Sequence, residues 1–181
     1  MGSCHDEGCL DINTSKWTDI DPLISDDARY GILHERHAAM MTPNSIATVQ
    51  LAGKDLFIGI SPSGHSLTLD TDHERNVAPS PVELLLVALG SCTGVDVVNI
   101  LQKKRLEIID YRVEISGQRR EEHPRAFTRM EVKHIVKGRN ISEAAVAQAI
   151  ELSENKYCSV AATLRPTVEI VSSYEIVPVE E

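Results

Sequence analysis

The stretch from Ser80 to Gln102 limits what this chain can become more than any other part of it. It predicts one long helix. Ser80 suits the N-cap, Pro81 falls at the first helical position, where a missing N–H is harmless, and Glu83 completes a Ser-x-x-Glu capping box. Beyond Glu83 only Ser91, Thr93, Asp96 and Asn99 carry polar side chains before Gln102. A helix apolar on nearly every side belongs inside a core. Cys92 sits in its middle, flanked by Gly90 and Gly94. Each glycine costs a helix about 1 kcal/mol against alanine, so the pair points to close approach of another backbone. A buried free cysteine is commonly just a small hydrophobe. What sets Cys92 apart is a second cysteine, Cys158, in a later helical segment.

Around this helix the periodicity changes. Ser45 to Leu51, Leu56 to Ser61 and Ser66 to Asp70 read as three strands joined by the glycine-bearing turns Ala52-Gly53-Lys54-Asp55 and Pro62-Ser63-Gly64-His65. Thr71 to Pro79 is a polar, turn-rich loop feeding the helix. Lys103-Lys104-Arg105 complements the negative end of the helix dipole. Ile108 to Gln118 and Phe127 to Val136 alternate as long strands, with Met130, Val132 and His134 on one face, and Gly138-Arg139-Asn140 ends the second. Ser142 can cap a second helix running to about Lys156, Ser159 to Leu164 adds a turn or two, and Thr167 to Val177 is a last strand with Val168, Ile170 and Val171 inside. Strands grouped apart from helices predict an α+β fold with antiparallel sheets packed around the central helix. Dinucleotide, P-loop and nucleophile-elbow motifs do not occur, which removes the commonest nucleotide and hydrolase readings.

At 181 residues and 42% hydrophobic, the chain can bury a sizeable core as one domain. Its net charge of −9 disfavours nucleic acid and anionic membrane partners. No apolar run near the ~18 residues that span a bilayer is free of polar interruption, and the N-terminus lacks a signal-peptide pattern, so the expected location is the cytoplasm. Four cysteines are too few for a disulfide scaffold and read as free, metal-bound or catalytic. Residues 1–40 form a separate acidic extension, with eight Asp/Glu against three Lys/Arg and no sustained periodicity. Cys4, His5 and Cys9, with His34 and His37, lack the spacing of a zinc ribbon or finger, so a tail is the simpler reading. Trp17 and Tyr30 are large enough to anchor it.

Ser80-Pro81-Val82-Glu83 followed by Gly90-Ser91-Cys92, together with Glu154-Asn155-Lys156-Tyr157-Cys158-Ser159-Val160-Ala161 and this element order, resembles the OsmC/Ohr family of thiol peroxidases, closest to its OsmC-like branch. The resemblance covers residues 41–181 and leaves out the acidic extension. It implies an intertwined homodimer with two active sites at the interface, acting on organic hydroperoxides and less well on hydrogen peroxide. By motif match, Cys92 would be the peroxidatic cysteine and Cys158 the resolving one. The thiolate would become a sulfenic acid and condense with the second thiol, and a dithiol donor, of lipoyl type by family likeness, would reduce the disulfide. No metal or organic cofactor is implied. Leu85, Leu89 and Val95 would offer an organic peroxide an apolar surface near Cys92.

The sequence departs from the Ohr branch in one respect. There an arginine lowers the pKa of the peroxidatic cysteine, and a glutamate directly after a proline holds that arginine. Here Val82 takes that place and Glu83 follows one residue later, a rotation of about 100° around a helix. Glu83 therefore has two readings, as a supporting carboxylate and as a cap. Arg75 and Arg36 are the candidate cations, without motif support. The alternative to a cysteine-dependent peroxidase is a weakly catalytic or non-catalytic protein that binds a hydrophobic small molecule in the same interface cavity. Asp96 and Asn99 share the Cys92 face and would orient a ligand or satisfy polar neighbours.

Overall fold

The computed structural model describes residues 45–179. The acidic extension, with Cys4, His5, Cys9, Trp17, Tyr30, His34, Arg36 and His37, lies outside the described residues. The chain divides into two compact units, one of residues 1–48 and 60–66, the other of residues 49–59 and 67–181. Of the first unit the described part is short. Its turn is closed by the Ser61 N–H donating to the His65 carbonyl at 2.8 Å, with the Ser63 hydroxyl 2.9 Å from His65 Nδ1.

Strands β1 (Thr48–Gly53), β2 (Leu56–Ile60) and β3 (Ser66–Asp70) form a three-stranded sheet in that order. The long helix α1 (Glu83–Lys103) follows. The reciprocal Ser80–Glu83 bonds form as expected, the Ser80 N–H and hydroxyl both donating to a Glu83 carboxylate oxygen at 2.7 Å and the Glu83 N–H donating back to the Ser80 hydroxyl at 3.4 Å, but regular helix starts at Glu83 and not at Pro81, which lies in the turn before it. It ends with Arg105 at φ 61° and the Leu106 N–H donating to the Leu101 carbonyl, the left-handed termination that satisfies the last carbonyls.

Then come β4 (Glu107–Arg119), β5 (Phe127–Arg139), α2 (Glu143–Leu152), a π-helical turn (Ser153–Tyr157), α3 (Ser159–Leu164) and β6 (Glu169–Val177). β4 and β5 pair antiparallel, Val113 opposite His134. β6 pairs with β5 in parallel, so the sheet is mixed where antiparallel pairing was expected. The helices between β5 and β6 supply the crossover that parallel neighbours require. Gly138 and Arg139 remain inside β5, and the break comes at Asn140, at φ 57°. Ser142 caps α2, its hydroxyl accepting from the Ala145 N–H, but the α-helix stops at Leu152 and does not continue to Lys156. Val168 is buried as expected, whereas Val171 is 36% exposed.

α1 packs along β4, α2 and α3. On its N-terminal half, Leu89 joins Phe127, Met130, Val132, Cys158, Ala161 and Val168 in one core cluster. On its C-terminal half, Val97 and Leu101 join Val136, Val146, Ala149 and Ile150 in another. The flanking glycines make room for side chains of β4 and not, as expected, for another backbone: a Cβ on Gly90 would collide with the Ile115 side chain, and one on Gly94 would stand 3.3 Å from the Tyr111 ring. Two further expectations about α1 need correction. It is not wholly buried, since Leu85 (41%), Val87 (61%) and Val95 (60%) are exposed. Its mean hydropathy of 2.0 also makes it apolar and long enough to cross a bilayer, polar residues notwithstanding. A helix clasped by a sheet and two further helices is the central helix of a packed domain, and such helices reach the same hydropathy.

Candidate active site

Cys92 and Asp96 stand one turn apart on the same face of α1 and are both half-buried. Cys158 comes to them from the other side of the core, as the N-cap residue of α3, 3% exposed. The two sulfurs and an Asp96 carboxylate oxygen all lie within 4.8 Å of one another. The polypeptide thus brings together two thiols that are 66 positions apart (158 − 92).

The π turn makes this meeting possible. The Cys158 N–H donates to the Ser153 carbonyl at 2.8 Å, a five-residue span that inserts an extra residue before α3. Ser153 is fully buried, and its hydroxyl donates to Asp96 Oδ2 at 2.9 Å while lying 3.0 Å from the Thr93 hydroxyl. A Thr93–Ser153–Asp96 chain therefore fixes the carboxylate beside the sulfurs. Burial raises the Asp96 pKa, and the Ser153 hydrogen bond opposes it. Burial likewise pushes the Cys158 thiol up to about 11, the Ala161 N–H at 3.3 Å pulling it back while Cys92 and Asp96 push further. At pH 8 a thiol of that pKa is about 0.1% thiolate, against about a quarter for a free cysteine, roughly a two-hundredfold difference. Alkylation of Cys158 in the folded protein by iodoacetamide at pH 8, followed by peptide mass spectrometry, is expected to run at least that much slower than for free cysteine. A rate within tenfold of free cysteine would contradict the buried environment.

Glu83 is not among the groups at the sulfurs. Its carboxylate takes both Ser80 donors, which hold it below the usual carboxylate range, and it lies about two and a half turns before Cys92. Arg75 is likewise committed elsewhere, to Asp70 at 2.6 Å and to the Lys54 carbonyl at 2.9 Å. Among the described residues no ion pair involves Asp96.

A second feature lies on the opposite side of α1. A groove of about 810 Å³ is lined by Leu86, Val87, Gly90, Gly94, Val95 and Val98 of the helix and floored by Tyr111, Val113 and Ile115 of β4, with Glu83, Ser91 and Asn99 at its polar rim. Gly90 and Gly94 are each two residues from Cys92, so a 100° step per residue turns them away from it. Neither sulfur lines the groove. Beneath it, the Tyr111 hydroxyl and His134 Nδ1 are 2.5 Å apart, and His134 Nε2 is buried without a partner.

Ser153 and Thr93 were not foreseen as site residues, because Ser153 falls where the sequence reads as continuous helix. The only available signal was that Asp96 is an acid in an otherwise apolar run and must be hydrogen-bonded.

The family pattern described as OsmC-like protein matches residues 71–173. The chain is 48% identical over 121 residues to protein YhfA of Escherichia coli K12, which covers 67% of this chain and 90% of that one. The crystal structure of a hypothetical protein from Aquifex aeolicus VF5 superposes with a TM-score of 0.69 at 36% identity, covering 77% of this chain and 100% of that one. The organic hydroperoxide resistance protein OhrB of Bacillus subtilis superposes at 0.53 with 14% identity, covering 73% of this chain and 98% of that one, a likeness of fold alone.

Proposed function

The chain belongs to the OsmC-like protein family, and from that premise we propose that it is a cysteine-dependent peroxidase acting on organic hydroperoxides. The observation that carries the reading is the approach of the two sulfurs within 4.8 Å, close enough for side-chain torsions to bring them to bonding distance. Peroxide-related stress function runs through the OsmC/Ohr family, and OhrB is an organic hydroperoxide resistance protein.

In this reading the Cys92 thiolate attacks one peroxide oxygen. The O–O bond breaks, an S–O bond forms, the alkoxide leaves and takes up a proton as alcohol, and Cys92 is left as sulfenic acid. The Cys158 sulfur then attacks Cys92, water departs, and a Cys92–Cys158 disulfide remains for a dithiol to reduce. Cys92 is the half-exposed member, suited to meet substrate. Cys158, buried and with its raised pKa, is suited to wait for a partner already at hand. Asp96 can accept or return the protons that these steps exchange. Glu83 serves the helix cap, and no supporting role at sulfur is assigned to it.

A homodimer is part of the proposal. Leu85, Val87 and Val95 and the apolar groove beside them would be covered by a second copy, as in a family that is typically homodimeric, and the organic part of the peroxide would rest outside the groove, on aliphatic side chains of the Cys92 face such as Leu85. Residues 1–40 are an appendage to a catalytic domain of residues 41–181, and the protein works in the cytoplasm.

The test is kinetic. Reduced protein mixed in separate runs with cumene hydroperoxide, tert-butyl hydroperoxide and hydrogen peroxide is expected to lose two of its four thiols, faster with the two organic peroxides. Thiols that persist for minutes at millimolar cumene hydroperoxide would leave a binding protein whose groove takes a hydrophobic molecule.

A further inference from the structure

The donor set at the sulfurs is electrically one-sided. Cys92, Asp96 and Cys158 each become an anion on losing a proton, their donor atoms all lie within 4.8 Å of one another, and among the described residues Asp96 has no Lys or Arg in an ion pair. What surrounds them are neutral hydrogen-bond donors that aim the acceptors inward. The Ser153 hydroxyl holds one Asp96 oxygen and is itself backed by Thr93, and the Ala161 N–H points at the Cys158 sulfur. Outer donors that orient carboxylate and sulfur ligands without neutralising them are characteristic of the shell around a bound cation.

We propose that the reduced protein binds Zn²⁺ through Cys92, Asp96 and Cys158, with the fourth tetrahedral position left to water or a small exogenous ligand. Two sulfurs and one oxygen suit zinc and disfavour magnesium and calcium, which prefer oxygen-only shells. Zn–S bonds of about 2.3 Å and Zn–O bonds of about 2.1 Å place tetrahedral donors about 3.5–3.8 Å apart. The present envelope of 4.8 Å therefore has to contract by about 1 Å, which χ1 rotations of three short side chains supply. The half-exposure of Cys92 and Asp96 provides the entry path. Binding breaks two S–H bonds, forms two Zn–S bonds and releases two protons, and no electrons move. The inference rests on the same sulfur pair as the peroxidase reading but not on its redox chemistry. Its consequence is competition, since oxidation of the pair to a disulfide must expel the metal.

The test uses the full-length chain with Cys4 and Cys9 replaced by serine, fully reduced and free of oxygen, titrated with Zn²⁺ against a chromophoric chelator and in parallel with Co²⁺. The expected result is one zinc per chain, about two protons released per zinc, and a sulfur-to-cobalt charge-transfer band in the near ultraviolet. Cys92→Ser and Cys158→Ser should each weaken zinc binding at least tenfold and diminish that band, and Asp96→Asn should weaken binding about tenfold or more while keeping it. No zinc retained by the fully reduced chain, or retention unchanged in Cys92→Ser and Cys158→Ser, overturns the inference. Measuring thiol loss to cumene hydroperoxide on the same metal-free preparation separates the two proposals. Zinc bound with thiols untouched by peroxide upholds the metal site and sinks the redox reading, and thiols lost with no zinc bound does the reverse.

Discussion

Cys92→Ser is expected to bring hydroperoxide consumption to the background of buffer, a fall of at least about a thousandfold, because a hydroxyl at this position has no accessible anion near neutral pH and cannot accept a peroxide oxygen. Cys158→Ser should behave differently. The first oxidation still occurs at Cys92, so one equivalent of peroxide is consumed quickly, but the thiol that stands beside the sulfenic acid and would condense with it is gone. That intermediate should persist, form an adduct with dimedone, and turn over only with added thiol. The contrast follows from geometry: one sulfur is half-exposed on α1, the other is enclosed at the start of α3 among Leu89, Met130 and Val168. Equal loss of peroxide consumption in both single variants within the first turnover would contradict this division of labour.

The second large effect concerns acid stability. His134 is fully buried on β5, next to the Tyr111 hydroxyl, and its Nε2 has no partner. Burial lowers its pKa from 6.5 to about 4. Between those two values the unfolded chain carries a proton on His134 that the folded protein does not, so stability rises with pH across this window and is lost as pH falls through it. At 1.36 kcal/mol per unit the loss amounts to about 3 kcal/mol by pH 4, a large share of the stability of a domain this size. Asp96, whose pKa is raised on folding, acts in the opposite direction, so the difference between two proteins is the informative quantity. Urea unfolding at pH 7 and pH 4.5 should show a steep acid limb in the wild type and a much shallower one in His134→Gln. Parallel limbs in the two proteins would place the acid sensitivity elsewhere.

Much of this arrangement can be read from residue order, and the exceptions have physical causes. The Ser80-Pro81-Val82-Glu83 cap is legible because its hydrogen bonds are local, and β4 and β5 are legible because alternation reports which side faces a core. The parallel pairing of β6 is not legible, since alternation carries no strand direction. The π turn escapes because a single inserted residue leaves the apolar spacing of α2 almost undisturbed, yet that residue sets where Ser153 and Cys158 point. The burial of α1 was overestimated for a different reason. A helix apolar on every side shows that every side wants cover, and nothing in it distinguishes cover by its own chain from cover by a second copy. The two cysteines were readable as a pair through family resemblance, whereas Thr93, Asp96 and Ser153 became a connected set only in three dimensions.

The central claim is that Cys92 and Cys158 are redox partners, and one measurement addresses it most directly. The reduced protein is exposed to a single equivalent of cumene hydroperoxide, quenched with alkylating agent, digested without reduction and mapped by mass spectrometry. The expected product is a peptide pair joined between Cys92 and Cys158 within one chain, with Cys4 and Cys9 recovered alkylated. Recovery of Cys92 and Cys158 both alkylated, or joined to the other cysteines instead of to each other, would contradict it.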